Sequence, residues 1–248
     1  MAGQVRRMLR TLVVCLVLVL VGFGLFCLTI SIGRVNIPLR DVASSLLGFG
    51  DPQTDFVIRT LRLPRTLAAV EVGIAFGLSG ALFQALARNP LASPDIIGIT
   101  SGASAAAVFT IVVLAGSTAQ VSLGAFAGAA LTATAIYVLA YRKGVSSYRL
   151  ILVGIGLGAV LSACTSYLLT RADIYAAQEA TVWLTGSLNG VTWTQIRPLT
   201  IGVLVLAPVA VLSIRPLRML LLGDETATGA GVRVEATRRL VLFVAVGL

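Results

Sequence analysis

Six apolar runs, at about 11–31, 66–87, 95–115, 120–140, 149–170 and 197–214, set the first limit on what this 248-residue chain can become. Roughly 20 apolar residues in a helix cross a hydrocarbon core of ~30 Å. Inside lipid a crossing segment has to satisfy its backbone polar groups within itself, and a helix does so. The chain is 57% hydrophobic and 12% charged, with a mean hydropathy of +0.97, whereas a soluble domain carries about a quarter charged residues. The expected fold class is therefore an all-α polytopic membrane protein, a helical bundle forming a single transmembrane domain over 1–248. A seventh run opens near 238 and stops at Leu248. A helix that ends inside the bilayer leaves backbone groups without partners, so the sequence is expected to be part of a longer protein.

The net charge of +9 does not point to nucleic acid. The basic residues flank apolar runs instead of forming one soluble basic surface, and the contact they imply is membrane lipid. Cys15, Cys27 and Cys164 all lie inside apolar runs, and the chain holds no histidine. With no CxxC pair, no metal site and no cofactor are expected. The first run follows Arg6, Arg7 and Arg10, exceeds the apolar length of a secretory signal and lacks a small-x-small cleavage site, so it reads as a retained anchor.

Loop charge gives orientation. With the N-terminus inside, the inner segments hold Arg6, Arg7, Arg10, Arg88, Arg142, Lys143, Arg149, Arg215, Arg218, Arg233, Arg238 and Arg239, twelve in all. The outer segments hold seven: Arg34, Arg40, Arg59, Arg62, Arg65, Arg171 and Arg197. Five of those seven lie between 34 and 65, so the departure from the rule is local. Small residues four apart recur at Gly73/Gly77, Gly98/Gly102, Gly124/Gly128 and Gly154/Gly158, the spacing that lets helices approach closely in lipid.

Three segments carry more. In "DFVIRTLRLPRTLAAV" (55–70), Pro64 suits the first turn of a helix, with Arg62 just before it and Arg65 inside it. Cations there oppose the helix dipole and the orientation rule together. A partner supplying negative charge accounts for them, as do lipid phosphates. In "LARNPLASPDIIGITSGAS" (86–104), Asn89-Pro90 and Ser93-Pro94 form turns, and Ser93 is placed to cap a helix whose first turn holds Asp95. A tight hairpin explains these residues without further function. In "RPLRMLLLGDETATGAGVRVEATRR" (215–239), the run Leu220–Leu222 is broken by Gly223, and Asp224 and Glu225 open a stretch ending at Gly229 and Gly231. It reads as two short helices around a turn, acids at the second N-terminus, offering apolar faces to a docked cytoplasmic protein. A loop lying on the membrane surface competes, less attractively beside anionic lipid.

Together these segments resemble a known family. "RLPRTLAAVEVGIAFGLSGALFQALARNPLASPDIIGITSGAS" resembles the signature of FecCD-type permeases, the membrane subunits of ABC importers for ferric siderophores, haem and cobalamin. "LLGDETATGAGV" resembles their coupling loop, within an inner segment of about 215–237, and "VWLTGSLNGVTW" (182–193) resembles their outer segment between spans five and six. The family typically has ten spans, so six and the start of a seventh stand here. The resemblance implies that an extracytoplasmic substrate-binding protein docks its acidic residues on Arg62 and Arg65, with Arg59 assisting. Arginine's planar fork suits bidentate contact with a carboxylate. It implies that Leu222, Gly223, Asp224, Glu225, Ala227, Gly229 and Gly231 sit against a cytoplasmic ABC ATPase subunit. It implies an inner gate at Ser146, Ser147 and Tyr148 in "YRKGVSSYRL", and a second permease copy or paralogue making a dimer. Glu71 departs from the family's apolar pattern. An ionisable group there lines the pore, pairs with a neighbouring arginine or snorkels to the outer interface.

Function follows as an expectation: a translocation-pathway subunit in the cell membrane with no chemistry of its own. No G-x-x-x-x-G-K-[ST] phosphate loop is present, and the one lysine, Lys143, lacks that setting. A polytopic membrane enzyme would cluster His, Asp, Glu or Cys near one face, and here the acids are scattered. An ion-coupled secondary transporter would need ionisable groups near mid-bilayer, and Glu71 alone comes close. The chelate is not readable, though an iron siderophore is the commonest case among such relatives.

Overall fold

The structure, a computed structural model, describes residues 2–33, 35–142 and 147–248, with the side chains of 2–4 and 147 left aside. Among the described residues the regular structure is helical: α1 (Ala2–Ser31), α2 (Leu39–Leu47), α3 (Pro52–Asp55), a π-helical segment (Phe56–Arg62), α4 (Leu63–Ala87), α5 (Ile99–Val112), α6 (Thr118–Ala140), α7 (Ser147–Arg171), α8 (Ile174–Thr185), α9 (Trp193–Leu212), α10 (Ile214–Leu221), α11 (Asp224–Gly229) and α12 (Val234–Gly247). Val5–Ser31, Pro52–Ala87, Thr118–Ala140, Tyr148–Arg171 and Trp193–Leu212 are long and apolar enough to cross a membrane. The third expected span is shorter than its apolar run. Residues 94–98 form a turn, and α5 keeps 14 residues, about 21 Å at 1.5 Å per residue.

Two compact units divide the chain: Met1–Glu71 with Leu188–Leu199, and Val72–Ser187 with Thr200–Leu248. The first is built around Ile30, Ile37, Val42 and Ile58, with Phe26, Val57 and Leu63 packed against them. Here α1 ends, α2 follows Pro38 and stops at Gly48 (φ 90°), and the next helix begins at Asp51, whose carboxylate accepts from Gln53 N at 3.2 Å with Pro52 in the first turn. That helix runs from Pro52 to Ala87 without a break.

The expected helix start near Pro64 is thus corrected: Arg62 and Arg65 lie well inside a helix. Proline has no N–H to give, and its ring clashes with the preceding turn of an α-helix. The chain accommodates Pro64 by widening into a π segment just before it, where Leu63 N donates to Ile58 O, five residues back. The carbonyl of Arg59 then has no donor in the helix, since Leu63 N is already used and Pro64 has none. The indole N–H of Trp193 donates to it at 2.9 Å.

In the second unit α5 packs between α6 and α7 through glycines. A Cβ on Gly102 would stand 1.9 Å from Thr132 Oγ1, and one on Gly154 would stand 2.3 Å from Ile97 O. Gly98 combines φ 82° with a Cβ position 2.4 Å from Gly154 O, so two constraints hold it as glycine. A Cβ on Gly73 or Gly77 would meet nothing within 4 Å beyond its own helix backbone. The larger core joins Phe83, Ile97, Ile136, Ala227, Val241 and Leu242 from distant parts of the sequence, and Ser79 Oγ donates to Ala245 O across it. Most exposed side chains on α1, Leu12 through Leu20 among them, are apolar, as a lipid-facing helix requires.

Candidate functional site

The cationic cluster at 59–65 has an internal occupation that charge counting does not reveal. Arg62 Nη1 donates to Ile30 O at 2.7 Å and Ser31 O at 2.9 Å, and Nη2 donates to Val35 O. Ile30 and Ser31 carry the last carbonyls of α1, the negative end of its dipole. Gly33 leaves the room, since a Cβ there would stand 2.6 Å from Arg62 Nη2. Arg59 does the same for α2: its Nε donates to Ser45 O at 2.9 Å and its Nη2 reaches Ser45 O and Leu46 O. Hydrogen bonds to a charged group contribute about 1.5–3 kcal/mol each when buried, less here because Arg62 is half-buried and Arg59 exposed. Arg65 differs from both. It is exposed, with no hydrogen bond or ion pair among the described residues.

Arg62 and Arg65 both line a recess of about 960 Å³. Leu28, Ile32, Val57 and Leu61 give it apolar walls, while Thr60, Thr66, Asn189 and Thr192 give it polar ones. Its 189–192 wall belongs to the segment "VWLTGSLNGVTW", and Trp193 anchors that segment to the π turn.

The 215–239 segment forms the expected two short helices around Gly223 (φ 113°), with Asp224 and Glu225 in the first turn of α11. Ala227 is fully buried, while Leu221, Leu222, Glu225 and Gly229 are exposed. Gly231, at φ 83°, closes the turn after α11. Asp224, however, is exposed and yet paired within the chain. Arg88 Nη2 donates to its Oδ1 at 2.8 Å, and Arg238 Nη2 donates to both its oxygens at 2.9 Å. Arg238 also pairs with Glu235 at 3.4 Å, and Tyr137 Oη donates to Glu235 at 2.8 Å. Arg88 further donates to Leu220 O. One connected polar network therefore ties the ends of α4, α6, α10 and α11 to α12.

Two members of the network are costly. Arg238 is buried, and loss of its carboxylate partners would leave an uncompensated charge, destabilising by roughly 3–5 kcal/mol. Arg88 sits at φ 52°, a region that costs a residue with a side chain roughly 1–2 kcal/mol. It closes α4 in a Schellman turn, with Asn89 N donating to Gln84 O and Arg88 N to Ala85 O, the position at which glycine is usual. Loop charge places Arg88 and Arg238 on the inner side but gives neither of them a role. The available signal is an arginine directly after a helix that otherwise ends like a glycine-capped one.

The hairpin after Arg88 is present, but Ser93 caps a turn instead of a helix: its Oγ accepts from Ile96 N at 3.3 Å, and α5 begins at Ile99. Asp95 falls on the rim of a recess of about 390 Å³ lined with Thr100, Ser101, Ser104, Ser162, Thr165 and Ser166. Ser162 and Ser101 face each other at 3.4 Å. Six hydroxyls on two otherwise apolar helices give α5 and α7 a polar face. Of the residues expected at an inner gate, Ser146 lies outside the described residues, Ser147 opens α7, and Tyr148 is exposed. Glu71 is half-buried on α4.

The FecCD transport family model matches residues 13–248. The chain belongs to the FecCD transport family. This family member is 37% identical over 239 residues to the ferric enterobactin transport system permease protein FepG of Escherichia coli, covering 96% of this chain and 72% of that one. It is 41% identical over 222 residues to the achromobactin transport system permease protein CbrC of Dickeya dadantii, covering 89% of this chain and 64% of that one. A solved structure described as "an inward-facing conformation of a putative metal-chelate type ABC transporter" superposes with a TM-score of 0.84 at 28% identity, over 95% of this chain and 73% of that one. The chain is thus an all-helical, multi-pass membrane protein of the permease type and not an enzyme.

Proposed function

We propose that this chain lines the translocation pathway of an ABC importer for a ferric siderophore or a similar polar metal chelate. The family match over 13–248, with relatives named for enterobactin and achromobactin, carries the reading. The hydroxyl face of α5 and α7 supports it, because serines and threonines offer hydrogen bonds to a polar cargo where apolar side chains would offer none. The whole of 1–248 acts as one permease domain beside a second copy or a paralogue, and Glu71 is assigned to the pathway and Ser146, Ser147 and Tyr148 to the inner gate.

In this reading the N-terminus and the 215–237 segment face the cytoplasm. The exposed Leu222, Glu225 and Gly229 meet an ABC ATPase subunit, with Gly223, Asp224, Ala227 and Gly231 shaping that surface. The segment around Arg59, Arg62 and Arg65 faces a substrate-binding protein. Of the three, Arg65 receives the partner's carboxylate, since its guanidinium is uncommitted, whereas Arg62 and Arg59 hold the helix ends that frame the recess. The deciding experiment reconstitutes the chain with its ATPase and binding protein in liposomes and follows radio-iron as ferric catecholate and hydroxamate siderophores. Uptake that requires ATP supports the reading. Uptake driven by a proton or sodium gradient without the ATPase would sink it.

A further inference from the structure

Asp224 opens the helix assigned above to the ATPase contact, yet both of its oxygens face arginines of its own chain. One of them, Arg88, closes α4 at φ 52° in a turn where glycine would be unstrained. The other, Arg238, is a buried cation on α12. An arginine in a strained backbone position and an arginine withdrawn from solvent both converge on one carboxylate. Backbone strain persists where the surrounding structure over-determines it, and here the guanidinium supplies the reason: the αL geometry brings Arg88 onto Asp224 and Leu220 O together.

We propose that Arg88 and Arg238 are the positioning residues of the coupling segment. By gripping Asp224 from two helices they make α11 move as one body with the end of α4 and the start of α12, so that a push on α11 reaches both. Arg88 takes the exposed side of the grip, and Arg238 the buried side, backed by Glu235 and Tyr137. The proposal rests on the reading that α10 and α11 meet the ATPase.

The test compares Arg88→Gly, Asp224→Asn and Asp224→Glu in the chain reconstituted with its ATPase and binding protein. Arg88→Gly removes the grip while relieving the backbone strain, so its melting temperature should equal or exceed that of the parent. A purely structural role predicts a loss of stability instead. The ratio of iron taken up to ATP hydrolysed should fall about tenfold in Arg88→Gly and Asp224→Asn, a typical size for a lost coupling between sites, and stay near the parental value in Asp224→Glu. Spin labels at Thr228 on α11 and Gln84 on α4, in a background without the three cysteines, give the direct readout. Their separation should hold constant on trapping with ATP and vanadate in the parent, and shift on trapping in Arg88→Gly. Parental ratios and a constant separation in both variants would overturn the proposal. Failure of the underlying reading shows differently: Leu222→Asp would then leave the ATPase attached to the purified chain.

Discussion

Trp193 completes a hydrogen bond that Pro64 makes impossible within the helix: its indole N–H meets the carbonyl of Arg59 at 2.9 Å. The loop before α9 and the π turn are thereby one structural unit. The finding joins two residues 134 positions apart through the missing proton of a third.

Replacing Trp193 by phenylalanine should therefore lower stability by about 1 kcal/mol, the net worth of one hydrogen bond at this exposed site. Pro64→Ala should recover part of that loss, because alanine restores a donor within the helix. Thermal unfolding of the two single variants and the double variant checks this. Strict additivity would show that the proline does not create the vacant carbonyl.

Arg65→Ala and Arg62→Ala should separate cleanly. The first is expected to slow binding-protein association several-fold at low salt and little at high salt, with an unchanged melting temperature. Arg62→Ala is expected to lower the melting temperature, since the last carbonyls of α1 lose their cation. Its weaker docking should follow from that loss and not from a missing surface charge. Surface plasmon resonance across a salt series, with melting curves alongside, distinguishes the two.

The glycine pairs should also divide. Gly98→Ala faces both a left-handed backbone and the carbonyl of Gly154, and is expected to cost roughly 2–4 kcal/mol. Gly73→Ala meets open space and should be neutral, or gain up to about 1 kcal/mol of helix propensity, in denaturant titrations of the detergent-solubilised chain.

Ser101→Leu combined with Ser162→Leu should abolish most siderophore uptake while leaving ATPase retention and the melting temperature unchanged. Both hydroxyls border the recess and neither holds a buried partner. Retained uptake would move the pathway away from the α5–α7 face.

Hydropathy and glycine spacing read most of the bundle, because period and length are local properties of a lipid-crossing helix. They pass over α2 and α8, although the signals of both are present. Pro38 and Gly48 bracket the first. Asp173, accepting from Tyr175 N and Ala176 N, and Gly186 bracket the second. Neither is long enough to cross, so a search for spans treats both as loop. The start of the second crossing helix is misplaced by sequence because Pro64 resembles a helix beginner unless the π turn ahead of it is known. Asp51-Pro52, twelve residues upstream of Pro64, is the true start signal. The arginine cluster is legible as an anomaly but not as two helix clamps and one uncommitted cation. Which carbonyl a guanidinium reaches depends on where α1 and α2 end in space, and no spacing rule supplies that.

The π turn also fixes the angle between Arg59 and Arg62 around the helix. Each residue gained or lost in an α-helix rotates the downstream turns by about 100°. Deleting one residue between Arg59 and Arg62 would therefore turn the two arginines about a quarter turn relative to each other, and they would no longer reach the ends of α2 and α1 together. Length in this short stretch is constrained more tightly than its side chains, and insertions between Arg59 and Arg62 should be rarer among working relatives than substitutions there.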